Sequence, residues 1–487
     1  MVAKKAATKN GTVKASPSKA LFVGMLTRDI DLIDAVLDLV DNCMDGVLRT
    51  LNSQKKSIEG ESPYDGFAVR LALSPKKFSI SDNCGGIPRD VAEEYAFRLG
   101  RPNPTLDKDI PTVGMYGIGM KRALFKIGRS SSVVSRNKGE CFEVKIDPNW
   151  LDSDDEWLLP LNDLQGAAIP INLRKNDGTV ITVENLFPSI SKSFSPQHSD
   201  ILERLRHTVA THYSYIIYKG LKIFVNDVEV SPRPIMLFAT DTWGDNEIAP
   251  YIYRTDSDGV SVGLSVGLYA EPPDDEDIEA ELEGRAEAKP MSGRREYAGW
   301  TIICNDRVVV YNDKSILTGW GEAGVPSFHS QFRSISGVVH FKTNTPLKLP
   351  VNTTKRGLDA QSELYLGVKE CMREGLKIFT SFTNDWKSPS AERKKYFSAA
   401  KAVDAIELAA SAKPKNMKQV RKGLQGVKFV PVLPRPSTKV IIKQIRFAKK
   451  IEEIEAVAEF LFKDSETSPS EVGERCFDLQ LNRALRK

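Results

Sequence analysis

Apolar residues recur with helical spacing over residues 29–49, where Ile33, Val36, Leu37, Val40, Met44 and Val47 fall on one face. Asp38, Asn42 and Asp45 fall on the opposite face, at i, i+4 and i+7. The pattern predicts an amphipathic helix with a polar stripe. Residues 200–218 also read as a helix, and so do residues 360–384. Between them the period drops to two. LKIFVNDVEVSP alternates around Asn226-Asp227 and predicts a strand pair with a tight turn. Residues 259–270 and 299–311 are strand-like. The acidic, proline-flanked stretch within 271–296 interrupts them and reads as an insertion.

Four segments follow from this pattern: a basic tail at 1–19, an α/β domain at 20–195, a second domain at 196–387 and a basic, helical region at 388–487. Charge separates them. Residues 388–450 carry sixteen Lys/Arg against three Asp/Glu, and residues 1–19 add five lysines. The body between is net acidic although the whole chain is +4. A polyanion partner is therefore expected at the extensions, with residues 388–450 as the candidate DNA contact. The same lysines could equally be solvated helices or dock onto the acidic body.

Composition excludes some classes. No apolar run reaches ~18 residues, so no membrane span is expected. The lysine-bearing N-terminus has no apolar core of a secretory signal. Six cysteines and five histidines lie scattered, without metal-ligand or disulfide-scaffold spacing. An intracellular protein is expected, cytoplasmic or, in a eukaryote, nuclear.

Candidate chemistry sits in four places. On the first helix, the Asn42 carboxamide can ligate Mg²⁺ and the Asp38 carboxylate can polarise a water; alone, the stripe also reads as a solvated face. Next, an alternating strand runs into Asp82-Asn83-Cys84-Gly85-Gly86. Asp82 can accept from an adenine amino group, and Gly86 would let backbone approach the base; the same residues also make a plain turn. Third, Gly114-Met115-Tyr116-Gly117-Ile118-Gly119-Met120-Lys121 opens a helix. Free N–H groups there can cradle phosphates. It is not a Walker A loop and no strand directly precedes it. Fourth, Gly178-Thr179-Val180-Ile181-Thr182-Val183 is an alternating strand whose threonine hydroxyl could join the adenine contacts.

Taken in order, these motifs resemble the Bergerat-fold (GHKL) ATPases over residues 20–190, with DLVDNCMDG and GMYGIGMKRA similar to the MutL/MORC branch. The resemblance implies an α+β two-layer sandwich, followed by a βαβ transducer domain. It implies ATP and Mg²⁺ as ligands, with Asn42 on the metal and Asp38 in the general-base position. Asp82 and Thr179 would hold adenine, and Gly114, Gly117, Gly119 and Lys121 would form the lid loop. Asp45, Gly86 and Met120 complete the candidate nucleotide contacts. Lys355, in LKLPVNTTKRGLD, would reach the γ-phosphate from the transducer. Two departures stand out: Asp38 is one methylene shorter than the glutamate many members carry, and Cys84 replaces the first glycine of D-x-G-x-G.

The function so implied is an ATP-driven switch that closes or homodimerises, turns over slowly, and acts on nucleic acid or a partner protein. A chaperone-like ATPase on protein clients, or an ATP-binding scaffold without useful hydrolysis, are the alternatives. No endonuclease or kinase motif is present.

Overall fold

A computed structural model describes residues 18–485 except 59, 61, 99–116, 153–156, 197–199, 275–277, 279–293, 353–356, 388–390, 413–416, 421–424, 438–444 and 446. Two units are compact, Met1–Pro436 and Ser437–Lys487. Gly114 and Lys355, and most of the acidic insertion, lie outside the described residues.

The larger unit is mixed α/β with large sheets. Its N-terminal half carries the helices α1 (Lys19–Arg28), α2 (Leu32–Ser53), α3 (Arg89–Val91), α4 (Gly119–Ile127), α5 (Pro148–Asp152), α6 (Pro188–Ser193), α7 (Asp200–His212) and α8 (Ser214–Tyr218). The first sheet has eight strands: β1 (Ala68–Leu73), β2 (Phe78–Asp82), β3 (Gly128–Asn137), β4 (Glu140–Ile146), β5 (Leu161–Asp163), β6 (Gly178–Leu186), β7 (Lys222–Val225) and β8 (Val228–Glu229). Their order is β5-β4-β3-β6-β2-β1-β7-β8. Pairs are antiparallel except β1 with β7.

Alternation decides which face is covered. Along β1, Val69, Leu71 and Leu73 are buried while Arg70 and Ala72 are exposed. The inward residues share one core with α2, α4 and α7. That is the two-layer arrangement the period-two pattern implies. The Asn226-Asp227 turn between β7 and β8 has both residues at positive φ, 46° and 60°, the geometry of a two-residue hairpin.

Seven strands make the second sheet. They are β10 (Tyr251–Ser257), β11 (Val260–Leu268), β12 (Gly299–Cys304), β13 (Arg307–Asp313), β14 (Ile335–Lys342), β16 (Lys418–Gln419) and β17 (Val427–Phe429), in the order β13-β12-β14-β11-β10-β17-β16. The helix Glu363–Asp385 lies on this sheet. It sits so close that a Cβ on Gly375 would stand 2.3 Å from Val266 Cγ1. A short third sheet pairs β9 (Met236–Ala239) with β15 (Lys401–Asp404).

Two elements differ from the sequence reading. The stretch 299–311 is a hairpin, turned at Asn305-Asp306 with φ of 48° and 66°. The region after 388 is not wholly helical: β15, the helix Ala405–Ser411, β16 and β17 pack into the larger unit. Strands of two to four residues carry no periodicity of their own and need a waiting sheet edge. Among its described residues the smaller unit has two helices, Ile451–Phe462 and Pro469–Leu485.

Candidate functional site

Helix α2 starts where Asp31 caps it, its carboxylate accepting from Ile33 N at 2.9 Å. Gly46 and the β-branched Val36, Val40 and Val47 cost helix propensity, up to ~1 kcal/mol each. Burial outweighs this: Val36, Leu37, Val40, Met44 and Val47 are all buried, at roughly 1.5–3 kcal/mol apiece. The polar face is enclosed too. Asp38, Asp41 and Asp45 are 5%, 0% and 2% exposed, so the stripe is not a solvated face. Asn42 between them is half-buried.

Buried carboxylates need partners, and those of α2 find them on different elements. Asp38 Oδ2 accepts from Arg122 Nη2 at 2.5 Å and Nε at 3.1 Å. Arg122 lies on the first turn of α4, three residues after Gly119. A Cβ on Gly119 would stand 3.3 Å from Asp38 Cβ, so glycine lets α4 start against the acid. The N-cap of α4 is Ile118, which offers no side-chain acceptor. Ile118 thus supplies no capping bond to a first turn whose N–H groups and dipole favour an anion.

Strand β2 delivers Asp82 to the same region. Its Oδ1 accepts from Cys84 N at 2.8 Å and Thr179 N at 3.3 Å, and its Oδ2 from Cys43 Sγ at 3.3 Å. Burial raises the Asp82 pKa, against the pull of these donors. Asn83 holds the turn in place: its amide donates to the Gly66 carbonyl at 2.8 Å and accepts from Ala68 N at 2.7 Å. Cys84 is buried, and its carbonyl accepts from Thr50 Oγ1 of α2 at 3.0 Å. Gly86 is required for a reason independent of any base. Its φ is +69°, and a Cβ there would lie 2.0 Å from the Arg136 carbonyl of β3.

Lys121 turns to backbone carbonyls. Its Nζ donates to the carbonyls of Gly117 and, at 2.9 Å, Ala96. Burial lowers its pKa to about 8. Met120 is buried in the first core. The structure thus brings Asp38 to the start of α4 at Gly119 and, through Cys43, brings α2 to Asp82 and Thr179; Asn42 and Asp45 lie on α2 itself, Gly86 packs against β3, Met120 enters the core, and Lys121 turns to Gly117 and Ala96.

Two arginines were not singled out from the sequence. Arg122 is one; its i+3 spacing from Gly119 was visible, but not which face of α4 meets α2. Arg307 is the other. The Asn305-Asp306 turn carries it from the second sheet to the back of α2, where Nε lies 2.6 Å from Asp41 Oδ1. The Tyr213 hydroxyl is 2.7 Å from the same oxygen. Beside it, Asp306 Oδ2 meets Lys219 Nζ at 2.7 Å and the Tyr64 hydroxyl at 2.9 Å, and Oδ1 is 3.3 Å from His340 Nε2. Burial raises the Asp306 pKa, but His340 and Lys219 outweigh it and hold the carboxyl well below the usual range.

The basic stretch after 388 is partly engaged. Lys428 Nζ reaches Glu374 at 2.6 and 2.8 Å, so it is not a free phosphate contact in this arrangement. Lys413, Lys415, Arg421 and Lys422 lie outside the described residues.

Residues 30–179 match a family model described as Histidine kinase-, DNA gyrase B-, and HSP90-like ATPase. The matched span runs from the start of α2 to Thr179 and so contains Asp38, Asn42, Asp82, Gly119 and Arg122. It supports ATP binding and hydrolysis by this part of the chain. Comparison with curated proteins finds no match. Among the described residues, no helix is long and apolar enough to cross a membrane.

Proposed function

We propose that the chain is a Mg²⁺-dependent ATPase of the GHKL type that works as a conformational switch. One observation carries this reading: four sequence-distant motifs meet around α2, inside the span that matches the ATPase family. Asp38 abuts the start of α4, Cys43 contacts Asp82, and Asp82 bonds Thr179.

The residues present suit Mg·ATP. Among the described residues no group of three or more His, Cys, Asp and Glu could hold a metal by itself. Mg²⁺ favours one or two protein oxygens together with substrate phosphates, and the Asn42 carboxamide is such an oxygen. The uncapped start of α4 offers N–H groups to phosphate. Asp82 accepts the adenine amino group through Oδ2, where Cys43 now donates, while Cys84 N and Thr179 N fix its other oxygen. Asp38 orients the attacking water and accepts its proton. Lys355 senses the γ-phosphate, so ATP and ADP stabilise different arrangements and closure or homodimerisation follows ATP.

The test is Mg²⁺-dependent ATP hydrolysis by the full chain, with nucleotide binding measured by calorimetry. Asn42→Ala should lose Mg·ATP affinity; a variant that binds as tightly as the parent removes Asn42 as the metal ligand.

Contact with DNA through residues 388–450 is the partner reading that the charge favours. Residues 401–429 supply strands to the larger unit, so deleting everything after 387 would damage its sheets. Deletion from Ser437 removes the basic run KQIRFAKK at 443–450 and spares the larger unit. Duplex binding that keeps its affinity and salt dependence after that deletion would exclude the run as a contact surface.

A further inference from the structure

We propose that Arg122 is a positioning residue for ATP hydrolysis, fixing the orientation of Asp38. The inference rests on the reading of Asp38 as the group that handles the attacking water. The ion pair is enclosed, with the side chains of Arg122 and Asp38 14% and 7% exposed. Arg122 brings two nitrogens, Nε and Nη2, to the single oxygen Oδ2. A fork on one carboxylate oxygen arrests rotation about the terminal torsion of the aspartate, a torsion that is broad when unrestrained. The direction of the other oxygen is then fixed with it.

The backbone makes this contact available. Gly119 admits α4 to within a methyl's width of Asp38, and Arg122 follows at i+3 on the same face of that helix. Position 38 needs such help more than a glutamate would. The shorter side chain keeps its carboxylate near α2 and has less reach to correct its own aim. Arg122 also joins the two elements that must agree for catalysis. Asp38 belongs to α2, whereas the glycine loop leads into α4. Lysine at 122 would supply charge but not the planar fork.

The experiment compares kcat and KM for Mg·ATP in the parent, Arg122→Ala, Arg122→Lys, Asp38→Asn and the double variant Asp38→Asn/Arg122→Ala. Calorimetric nucleotide binding serves as the fold control. Misplacement of a reacting group by about 1 Å can cost ~10²-fold in rate. Arg122→Ala should lose about that factor in kcat with little change in KM, and Arg122→Lys should fall between it and the parent. The double variant should be no slower than Asp38→Asn, because Arg122 acts through Asp38. Losses that multiply in the double variant, or a raised KM at parental kcat, would overturn the proposal in favour of direct contact with phosphate. If Arg122→Ala does not fold, Arg122→Lys decides: parental kcat in that variant overturns the proposal. A parent without Mg²⁺-dependent hydrolysis overturns the ATPase reading itself. An active parent with an unaffected Arg122→Ala overturns only this inference.

Discussion

Replacing Asp41 with asparagine should destabilise the larger unit by about 3 kcal/mol, at the lower end of the ~3–5 kcal/mol for breaking a buried ion pair. The structure sets up the cost. Arg307 and Asp41 are 2% and 0% exposed in their side chains, with 2.6 Å between Nε and Oδ1. Burial works against the Arg307 charge, yet Asp41 beside it raises the guanidinium pKa above its ordinary value. Arginine does not escape by losing its proton, so Asp41→Asn removes the carboxylate that this enclosed charge meets at 2.6 Å. The asparagine keeps the shape, and the Tyr213 ring, 5.3 Å from the guanidinium carbon, still faces the charge. That contact limits the loss to the lower end of the range. Adding Arg307→Met removes the enclosed charge and should recover most of the stability, to within about 1–2 kcal/mol of the parent. Urea unfolding measures this. Tryptophan fluorescence, with Trp150, Trp157 and Trp243 replaced by Phe, follows the second sheet through the buried Trp300, Trp320 and Trp386, and far-UV circular dichroism follows the whole. The parent should unfold with coincident signals. Asp41→Asn should lose its second sheet earlier, because the Arg307 turn is its anchor on α2. A loss below ~1 kcal/mol, or a double variant as unstable as Asp41→Asn, would refute the reasoning.

Other outcomes follow from the site. Asp38→Asn should retain ATP binding and lose ~10²–10⁴-fold in single-turnover hydrolysis; parental turnover would remove Asp38 from the chemistry. Asp82 should favour ATP over GTP, because guanine sets a carbonyl against the carboxylate at a cost of ~1–3 kcal/mol for an unmatched acceptor; equal affinities by calorimetry would exclude it as the adenine contact. His212 lies with Nδ1 2.6 Å from the Val308 carbonyl, and its pKa falls from 6.5 to about 4 through burial and the Arg307 charge. The unfolded chain then binds the extra proton between those values, so stability should fall as pH drops from 6.5 towards 4. Asp404 opposes this over part of the window, since burial raises its pKa to about 6 and its contribution is lost as pH rises. Comparing stability with His212→Gln separates the two: the acid-side loss should shrink in the variant, and an unchanged profile would clear His212.

Local features were legible in the sequence wherever spacing alone carries the information. The α2 stripe follows from a period of 3.6, and the β7–β8 turn from an Asn-Asp pair between alternating strands. The order of Asp38, Asn42, Asp82, the glycine loop and Thr179 likewise needed no structure. A second Asn-Asp pair at 305–306 turns β12 into β13 in the same way, within residues 299–311 that read only as strand-like. Its flanking residues are buried almost without interruption, so they lack the alternation that marks a hairpin. Partner choice lay beyond the sequence. The polar stripe on α2 looked the same whether it faced water or a site. Only packing showed that Asp38 meets Arg122, 84 residues away, and Asp41 meets Arg307, 266 residues away. A helical period is set by the backbone within a few residues. An ion pair is set by which helix faces and sheet edges arrive together, and that depends on the folded chain as a whole.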